Sequence, residues 1–572
     1  MIDLARVADP AAAIIAEGFA RHVRRFREVT RGAAAHFAAR DWAALHDAST
    51  RRLDLYGEQL AATLAGLHPL LGARLYDRHA WTALRAQYAA RIAGEPAAEL
   101  AETYFNSVTR RLFATIGVDP TIEFVRRAAA PPVPEEPSGE ALVVSCRNGV
   151  PALVSEIFAH LLGGFALEDG ERDARRVAGA LASALPGREL RAVELAPTLF
   201  FRGKRAFVVG RTLLDTGTAP FLLAFANPGG RVVVDAALFD ENEVSIVFSF
   251  ARAYFLVDAE HPRELVGFLR TIMPRKPVNE LYNAIGWDKH GKTELYRSLL
   301  RHLETSEDRF VTAPGQRGMV MHVFTLPGFD VVFKVIRDHF DPPKTASRRE
   351  VEEKYRHVFR HDRAGRLVDA AEFEHLEFDR ARFAPDLLED LLRLAPSTVS
   401  IEGDQVIFRH LYTERRLRPL DLHLRQADPE TARAAVLDYG RTLRDLAAAN
   451  VFPGDMLLKN FGVSRHGRLI FYDYDELCPL TECNFRALPQ PTTPEQEMAS
   501  EPWFSVEDRD VFPEEFAPFL GLKGELLQVF LQEHGELLTP HFWQAMQARI
   551  RRGEILEILP YPEARRIAGS RP

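Results

Sequence analysis

Asp455, Asn460 and Asp473 stand at the spacing that phosphoryl transfer needs. The first two lie in Phe452-Pro453-Gly454-Asp455-Met456-Leu457-Leu458-Lys459-Asn460, and Asp473 follows the apolar run Leu469-Ile470-Phe471-Tyr472. This is the separation of a kinase catalytic aspartate, its magnesium-binding asparagine and the aspartate of the second metal contact. One carboxylate orients a hydroxyl and accepts its proton. An amide and a second carboxylate hold a divalent cation against a triphosphate and offset developing charge. Taken singly each is an ordinary loop residue. Their order and spacing give them meaning.

Two upstream elements complete the set. Ala313-Pro314-Gly315-Gln316-Arg317-Gly318-Met319 separates two strand-like runs, and its glycines let backbone N–H groups approach phosphate oxygens. A Pro-Gly hairpin turn explains that stretch equally well. Lys334 sits inside Val331-Val332-Phe333-Lys334-Val335-Ile336, where a charge is costly unless paired. Kinases use such a lysine on the α- and β-phosphates, with a helix glutamate beside it. Glu350, Glu352 and Glu353 are the candidate partners; an edge-strand lysine facing solvent is the bland reading. Tyr412, Thr413 and Glu414 end the run that leads to the expected interlobe hinge, where backbone groups would meet adenine.

Gly286-Trp287-Asp288-Lys289-His290-Gly291-Lys292-Thr293 matches a P-loop pattern letter for letter. A phosphate cradle needs a buried strand before its first glycine. The preceding Val278–Ile285 reads as a helix capped by Asn279, and Asp288 would place negative charge in the cradle. The expectation is a helix–turn–helix corner.

These residues must be positioned by a chain of 572 residues, 47% apolar and 27% charged, an ordinary globular balance. No run reaches the ~18 apolar residues of a membrane span. The start, Met-Ile-Asp-Leu-Ala-Arg, lacks a secretory pattern. A net charge of −8 argues against a dominant nucleic-acid partner. Cys146, Cys478 and Cys483 make no disulfide framework and suggest a reducing cytoplasm; Cys478 and Cys483 lack a second pair for zinc.

Residues 1–127 read as helices, with Ile14, Phe19, Val23 and Phe26 as one apolar stripe. Residues 128–139 read as a proline-rich linker, and 151–184 as helix again. Residues 189–257 read as antiparallel sheet: a turn at Gly203-Lys204, a hairpin at Asn227-Pro228-Gly229-Gly230, and the apolar run Val244–Val257. From residue 308 the pattern becomes two strands, a charged helix, another strand and then mostly helix. The expected class is α+β: a mainly helical first domain (1–307) with an antiparallel sheet, then a bilobal protein-kinase-like domain (308–572).

The departures from a plain kinase are specific. Pro453-Gly454 replaces His-Arg, Leu457 replaces the catalytic-loop lysine, and Asp473-Tyr474-Asp475 replaces Asp-Phe-Gly. Losing His-Arg removes a common anchor for a phosphorylated activation loop. At these residues the chain resembles the bacterial isocitrate dehydrogenase kinase/phosphatase family. The resemblance is carried by AAANVFPGDMLLKNFGVSRHGRLIFYDYDELC, APGQRGMVMHVFTLPGFDVVFKVIRD, EKYRHVFRHDRAGRLVDAAEFEHLEF and ASEPWFSVEDRDVFPEEF, and covers essentially the whole chain.

The resemblance implies a regulatory N-terminal domain and a kinase-like domain that uses ATP and Mg²⁺. It implies phosphorylation and dephosphorylation of a serine of isocitrate dehydrogenase, governing entry to the glyoxylate bypass, with ADP retained for the reverse step and AMP as allosteric effector. It places the nucleotide loop on Ala313–Met319, the ATP lysine on Lys334, and a phosphatase aspartate on Asp369, which alone would read as a helix-start aspartate. Asp475 is a second candidate for the phosphatase step, as a carboxylate orienting water. The competing readings are a nucleotide-binding regulator without catalysis, a small-molecule phosphotransferase, and a P-loop ATPase at Lys292.

Overall fold

The structure is a computed structural model; it describes residues 4–125, 141–249, 255–342, 344, 346–361, 364–498 and 503–567. The proline-rich linker expected at 128–139 lies outside the described residues. Helices Leu4–Ala39, Trp42–Leu71, Arg78–Ile92 and Ala98–Leu112 form the first layer, as the periodicity predicts. The stripe that is fully buried differs by one position from the apolar one. It runs through Ile15, Gly18, His22 and Phe26, while Ile14, Phe19 and Val23 are half-buried at its flank. Gly18 explains the shift: a Cβ there would lie 2.2 Å from Thr63 Oγ1, so only glycine lets the first two helices close.

A six-stranded antiparallel sheet follows, with order Leu142–Ser145, Leu190–Leu195, Arg205–Leu214, Thr218–Ala226, Val233–Leu238, and the sixth strand, Phe200–Arg202, paired to Arg205–Leu214 off that path. Both predicted turns are present. Phe200 pairs Phe207 around Gly203-Lys204, and Ala226 pairs Val233 around the Asn-Pro-Gly-Gly segment. Helices Val150–Leu161 and Gly170–Ala184 cover one face, burying Val154, Ile157 and Val177 against Val208 and Leu223. Helix Pro262–Ile272 covers the other through Val266 and Leu269.

The Val244–Val257 run is not a continuous strand. Glu241–Val247 is a helix, because Asp240 caps it by accepting from the N–H groups of Asn242 and Glu243, and acidic residues fill its first turn. Among the described residues of the run, Leu256 returns to the sheet, bridged to Phe201. Residues 250–254 lie outside the described residues.

Helices Val278–Ala284 and Asp288–Thr305 form the expected corner at the P-loop-like motif. Gly286 takes φ +93° against Arg52, whose guanidinium a Cβ would meet at 2.2 Å. Pro277, not Asn279, occupies the cap. Lys292 packs 4.7 Å from the Phe373 ring centroid, and its desolvation lowers its pKa to about 8. Its ammonium therefore faces an aromatic wall, and no strand feeds the loop.

The second half carries a sheet of order Ala370–Asp379, Gln405–Arg415, Phe329–Ile336, Met321–Leu326, Val311–Thr312, with helix Arg348–His361 between its strands in sequence. Below it lie helices Pro429–Ala448, Gly524–His534 and Pro540–Arg551 around Tyr439, Leu443, Phe530 and Trp543. The small sheet lobe and larger helical lobe meet at the residues read as chemical.

The chain end then returns to the first sheet. Arg205, Arg566 and the Tyr561 hydroxyl converge on fully buried Asp235, with Tyr561 donating at 2.5 Å and Arg566 Nη2 at 2.9 Å. A buried carboxylate is tolerable only with such partners, and they hold its pKa below the usual range against the cost of burial. Tyr561→Phe removes one donor, and we expect a loss of about 1–2 kcal/mol in a denaturant titration.

Candidate active site

Lys334 lies on the Phe329–Ile336 strand, opposite Val323 on one neighbour and Tyr412 on the other, and is 6% exposed. Its Nζ is 2.7 Å from Glu414 Oε2, 2.9 Å from the Tyr472 carbonyl and 3.4 Å from the Tyr355 hydroxyl. The partner is thus a strand glutamate, and none of the expected helix glutamates reaches the lysine. Glu350 instead accepts from Ser347 at the helix start, Glu353 pairs with Arg349, and Glu352 lies near Arg356. Glu414 reaches Lys334 because Tyr412 is directly opposite it, and a residue two further along shares that face. The helix contributes Tyr355, whose hydroxyl donates to Glu414 at 3.1 Å. Burial raises the Glu414 pKa, and the attraction of Lys334 only partly offsets it.

Ala313–Met319 arches over the same cleft as Lys334. Gly315 takes φ +123°, and a Cβ on Gly318 would meet the Met321 carbonyl at 2.9 Å, so both glycines are required by backbone course. Arg317 is tied to Asp390 at 3.0 Å. At the expected hinge, Glu414, Arg415, Leu417 and Pro419 line the cleft. Tyr412 instead stacks on Tyr355 at 4.1 Å, and of the three expected residues only Glu414 lines the cleft.

Strand Val451–Phe452 delivers the catalytic-type loop, held by pairing with Cys478–Pro479 and by the Phe452 ring against Phe485 and Trp543. Gly454 has φ +76°, and a Cβ would sit 2.5 Å from the Glu476 carbonyl. The loop therefore rests backbone-to-backbone on the segment after Asp473, and a side chain at position 454, where a plain kinase has arginine, has no room there. Asp455 Oδ1 accepts from the Leu457 N–H at 2.9 Å. Asn460 is buried, and Tyr439 donates to the Met456 carbonyl at 2.5 Å, pinning the loop from the core.

Asp473 and Asp475 follow the Leu469–Phe471 strand and line the cleft with Asp455, Asn460 and Lys334. Burial raises the pKa of both. Asp475 is pushed up to about 7 by burial and by Asp473, with Lys344 the largest opposing charge. Among the described residues no group of three or more His, Cys, Asp or Glu side chains surrounds one point. Asp455, Asp473, Asp475 and the Asn460 amide give the cleft hard oxygen donors that suit a cation keeping water and phosphate as its other ligands.

Asp369 is the one predicted residue outside this group. It does not line the cleft, and it precedes a strand, Ala370–Asp379, rather than a helix. Asn283 Nδ2, from helix Val278–Ala284, donates to its Oδ2 at 2.9 Å. The same helix sends Glu280 to Arg415 with two contacts of 2.8 and 2.9 Å. Fully buried Lys276 backs Glu280 at 3.2 Å. One short helix of the first half thus touches both the cleft wall and Asp369. The sequence motifs missed Tyr355 and Glu280, and they named Glu414 only as a hinge residue, not as the partner of Lys334.

Comparison with known proteins gives this geometry its context. The kinase-domain model of isocitrate dehydrogenase kinase/phosphatase (AceK) matches residues 308–563, and the regulatory-domain model of the same family matches residues 12–307. A protein of Anaeromyxobacter sp. (strain Fw109-5) named isocitrate dehydrogenase kinase/phosphatase is 50% identical over 565 residues, 98% of each chain. Proteins of the same name from Anaeromyxobacter dehalogenans (strain 2CP-C) and Xanthomonas euvesicatoria pv. vesicatoria (strain 85-10) are 48% and 42% identical, covering 98% and 96% of each chain. With both family models matched in tandem over nearly its whole length, the chain belongs to the isocitrate dehydrogenase kinase/phosphatase family.

Proposed function

We propose that this protein transfers the γ-phosphoryl group of ATP to a serine of isocitrate dehydrogenase and also removes it, from one cleft. It would thereby set the branch between the tricarboxylic acid cycle and the glyoxylate bypass in the cytoplasm. The observation that carries the reading is the convergence of Lys334, Asp455, Asn460, Asp473 and the additional Asp475 on the cleft beneath the glycine loop. Lys334 is positioned for the α- and β-phosphates and the loop N–H groups for the outer phosphate. Asn460 and Asp473 are the residues to hold Mg²⁺, which when bound offsets charge on the phosphate oxygens.

For transfer, Asp455 orients the serine hydroxyl. Its Oδ1 is engaged by the Leu457 N–H, so Oδ2 is the oxygen to accept the proton. For removal, Asp475 orients water toward phosphoserine. A carboxylate near neutrality can accept a proton at working pH, which one with an ordinary pKa does poorly. Asp369, held by Asn283 outside the cleft, supports the dephosphorylation step from the domain boundary. ADP is the nucleotide retained for that step and AMP the effector that favours it. Incubation with labelled ATP and purified isocitrate dehydrogenase, followed by ADP and AMP, tests the whole reading: label should go on and then come off. ATP binding without turnover would favour the non-catalytic regulator.

Asp475→Ala separates the two activities. Dephosphorylation should fall about 10²-fold, the usual worth of a general base, while kinase activity falls less than about tenfold. Loss of both in equal proportion rules out a selective role.

A further inference from the structure

Cys478 and Cys483 stand at the two ends of the turn that follows the carboxylate loop, with their Sγ atoms 3.5 Å apart. The contact is built into the backbone. Cys478 is paired across to Phe452, and the 3-10 turn Leu480–Glu482 brings the chain back. Leu480 N–H donates to the Asn450 carbonyl at 3.1 Å, and Thr481 N–H to Asn450 Oδ1 at 3.0 Å. Gln547 Nε2 donates to the carbonyls of Leu480 and Cys483, both at 2.7 Å. No loop closure is needed for the thiols to meet.

The two sulfurs are not equivalent. Cys478 is half-buried, while Cys483 is buried at 8% exposure. Their hydrogen bond, with Cys478 as acceptor, lowers the Cys478 pKa against burial and the charge of Glu482, with Lys354 and Arg509 helping, and it raises the pKa of Cys483. This is the division between an attacking and a resolving thiol. Cys146 lies in the other half of the molecule, where burial raises its pKa.

We propose that Cys478 and Cys483 are a modification site: a dithiol that hydroperoxides oxidise to a reversible disulfide, slowing phosphoryl transfer in the adjoining cleft. The Cys478 thiolate attacks one peroxide oxygen, the O–O bond breaks, and the departing hydroxide takes a proton to become water, leaving a sulfenic acid. Cys483 then gives up its proton and attacks the Cys478 sulfur. The S–S bond forms, hydroxide leaves, and that proton makes it a second water. Two thiols lose two electrons and one hydrogen peroxide becomes two waters. An external dithiol reverses the bond by exchange.

The effect on the cleft follows from what Cys478 touches. Closing the thiols from 3.5 Å to a bonding distance of about 2.05 Å pulls the turn and the strand toward each other. That strand pairs with Val451–Phe452, and Gly454 sits against the Glu476 backbone with no spare room. The shift is therefore passed to the loop that carries Asp455. This consequence rests on the kinase reading of the cleft, whereas the disulfide does not.

Full-length protein treated with hydrogen peroxide tests both parts. We expect titratable thiols to drop from three to one, with a peptide linking Cys478 and Cys483 two hydrogens lighter. Transfer should slow about 10–100-fold, the scale of a sub-ångström to ångström misplacement of a catalytic group. Dithiothreitol should restore both. Cys483→Val and Cys483→Ser should keep their activity under peroxide for the time the parent loses it, and should leave a sulfenic acid on Cys478 that dimedone traps. An unlinked peptide pair after peroxide overturns the site. A linked protein that transfers phosphate at the parent rate overturns the coupling to the cleft. If the untreated protein transfers no phosphate, the kinase reading fails, and the peptide analysis still decides the site.

Discussion

Asp455→Ala should lower serine phosphorylation by about 10²–10⁴-fold, the range a positioned general base supplies, with ATP affinity changed no more than severalfold. The side chain contributes no described bond to the nucleotide-facing loop. Lys334, Ala313–Met319 and Asp473 keep their own supports without it. Asp455→Asn is the sharper variant. It retains an oxygen for the Leu457 N–H, so the loop keeps its shape, yet it cannot take the hydroxyl proton. Steady-state rates with labelled ATP should show kcat lost and KM for ATP kept in both variants. If Asp455→Asn transfers phosphate as the parent does, Asp455 is not the base.

The unusual frame around this aspartate has a steric cause. In a plain kinase the residue before the aspartate carries a large cation. Here Gly454 is pressed onto the Glu476 backbone, so the segment that carries Asp473 and the segment that carries Asp455 are in direct contact. Asp475 stands one residue before that contact and lines the cleft, where burial and the charge of Asp473 raise its pKa.

What the sequence revealed of this site follows the locality of each interaction. Asp455, Asn460 and Asp473 lie within one loop-and-hairpin unit, with Phe461 paired to Phe471, so their spacing survives as a readable pattern. Glu414 does not, because it meets Lys334 through strand register, which apolar runs on two strands do not specify. The Ala370–Asp379 strand alternates charge with apolar residues, and Asp369 in front of it could equally have begun a helix. The helix at Glu241 was hidden by the apolar residues after it, although Asp240-Glu241-Asn242-Glu243 carried the cap signal. The first-half contacts Asn283–Asp369 and Glu280–Arg415 join residues 86 and 135 positions apart and leave no trace in spacing.

The rewired lysine yields the second large effect. Glu414→Met should destabilise the protein by about 3–5 kcal/mol, because it takes the nearest countercharge from a buried ammonium. Lys334 is 6% and Glu414 3% exposed, so neither can turn to water, and Tyr355 offers the lysine only a neutral hydroxyl. Lys334→Met combined with Glu414→Met should recover most of that stability, since two apolar side chains can replace a buried pair at little cost. The recovered double variant should still fail to transfer phosphate, because no cation remains for the α- and β-phosphates. Glu350→Ala, Glu352→Ala and Glu353→Ala, whose partners are a helix-start serine and exposed arginines, should change neither stability by more than about 1 kcal/mol nor the rate by more than about twofold. Denaturant titration and initial rates on the same preparations distinguish the two arrangements. If a helix glutamate holds the lysine during turnover, its alanine variant loses activity and Glu414→Met does not. If strand pairing holds it, the pattern reverses, and the stability rescue in the double variant assigns Glu414 to pairing Lys334.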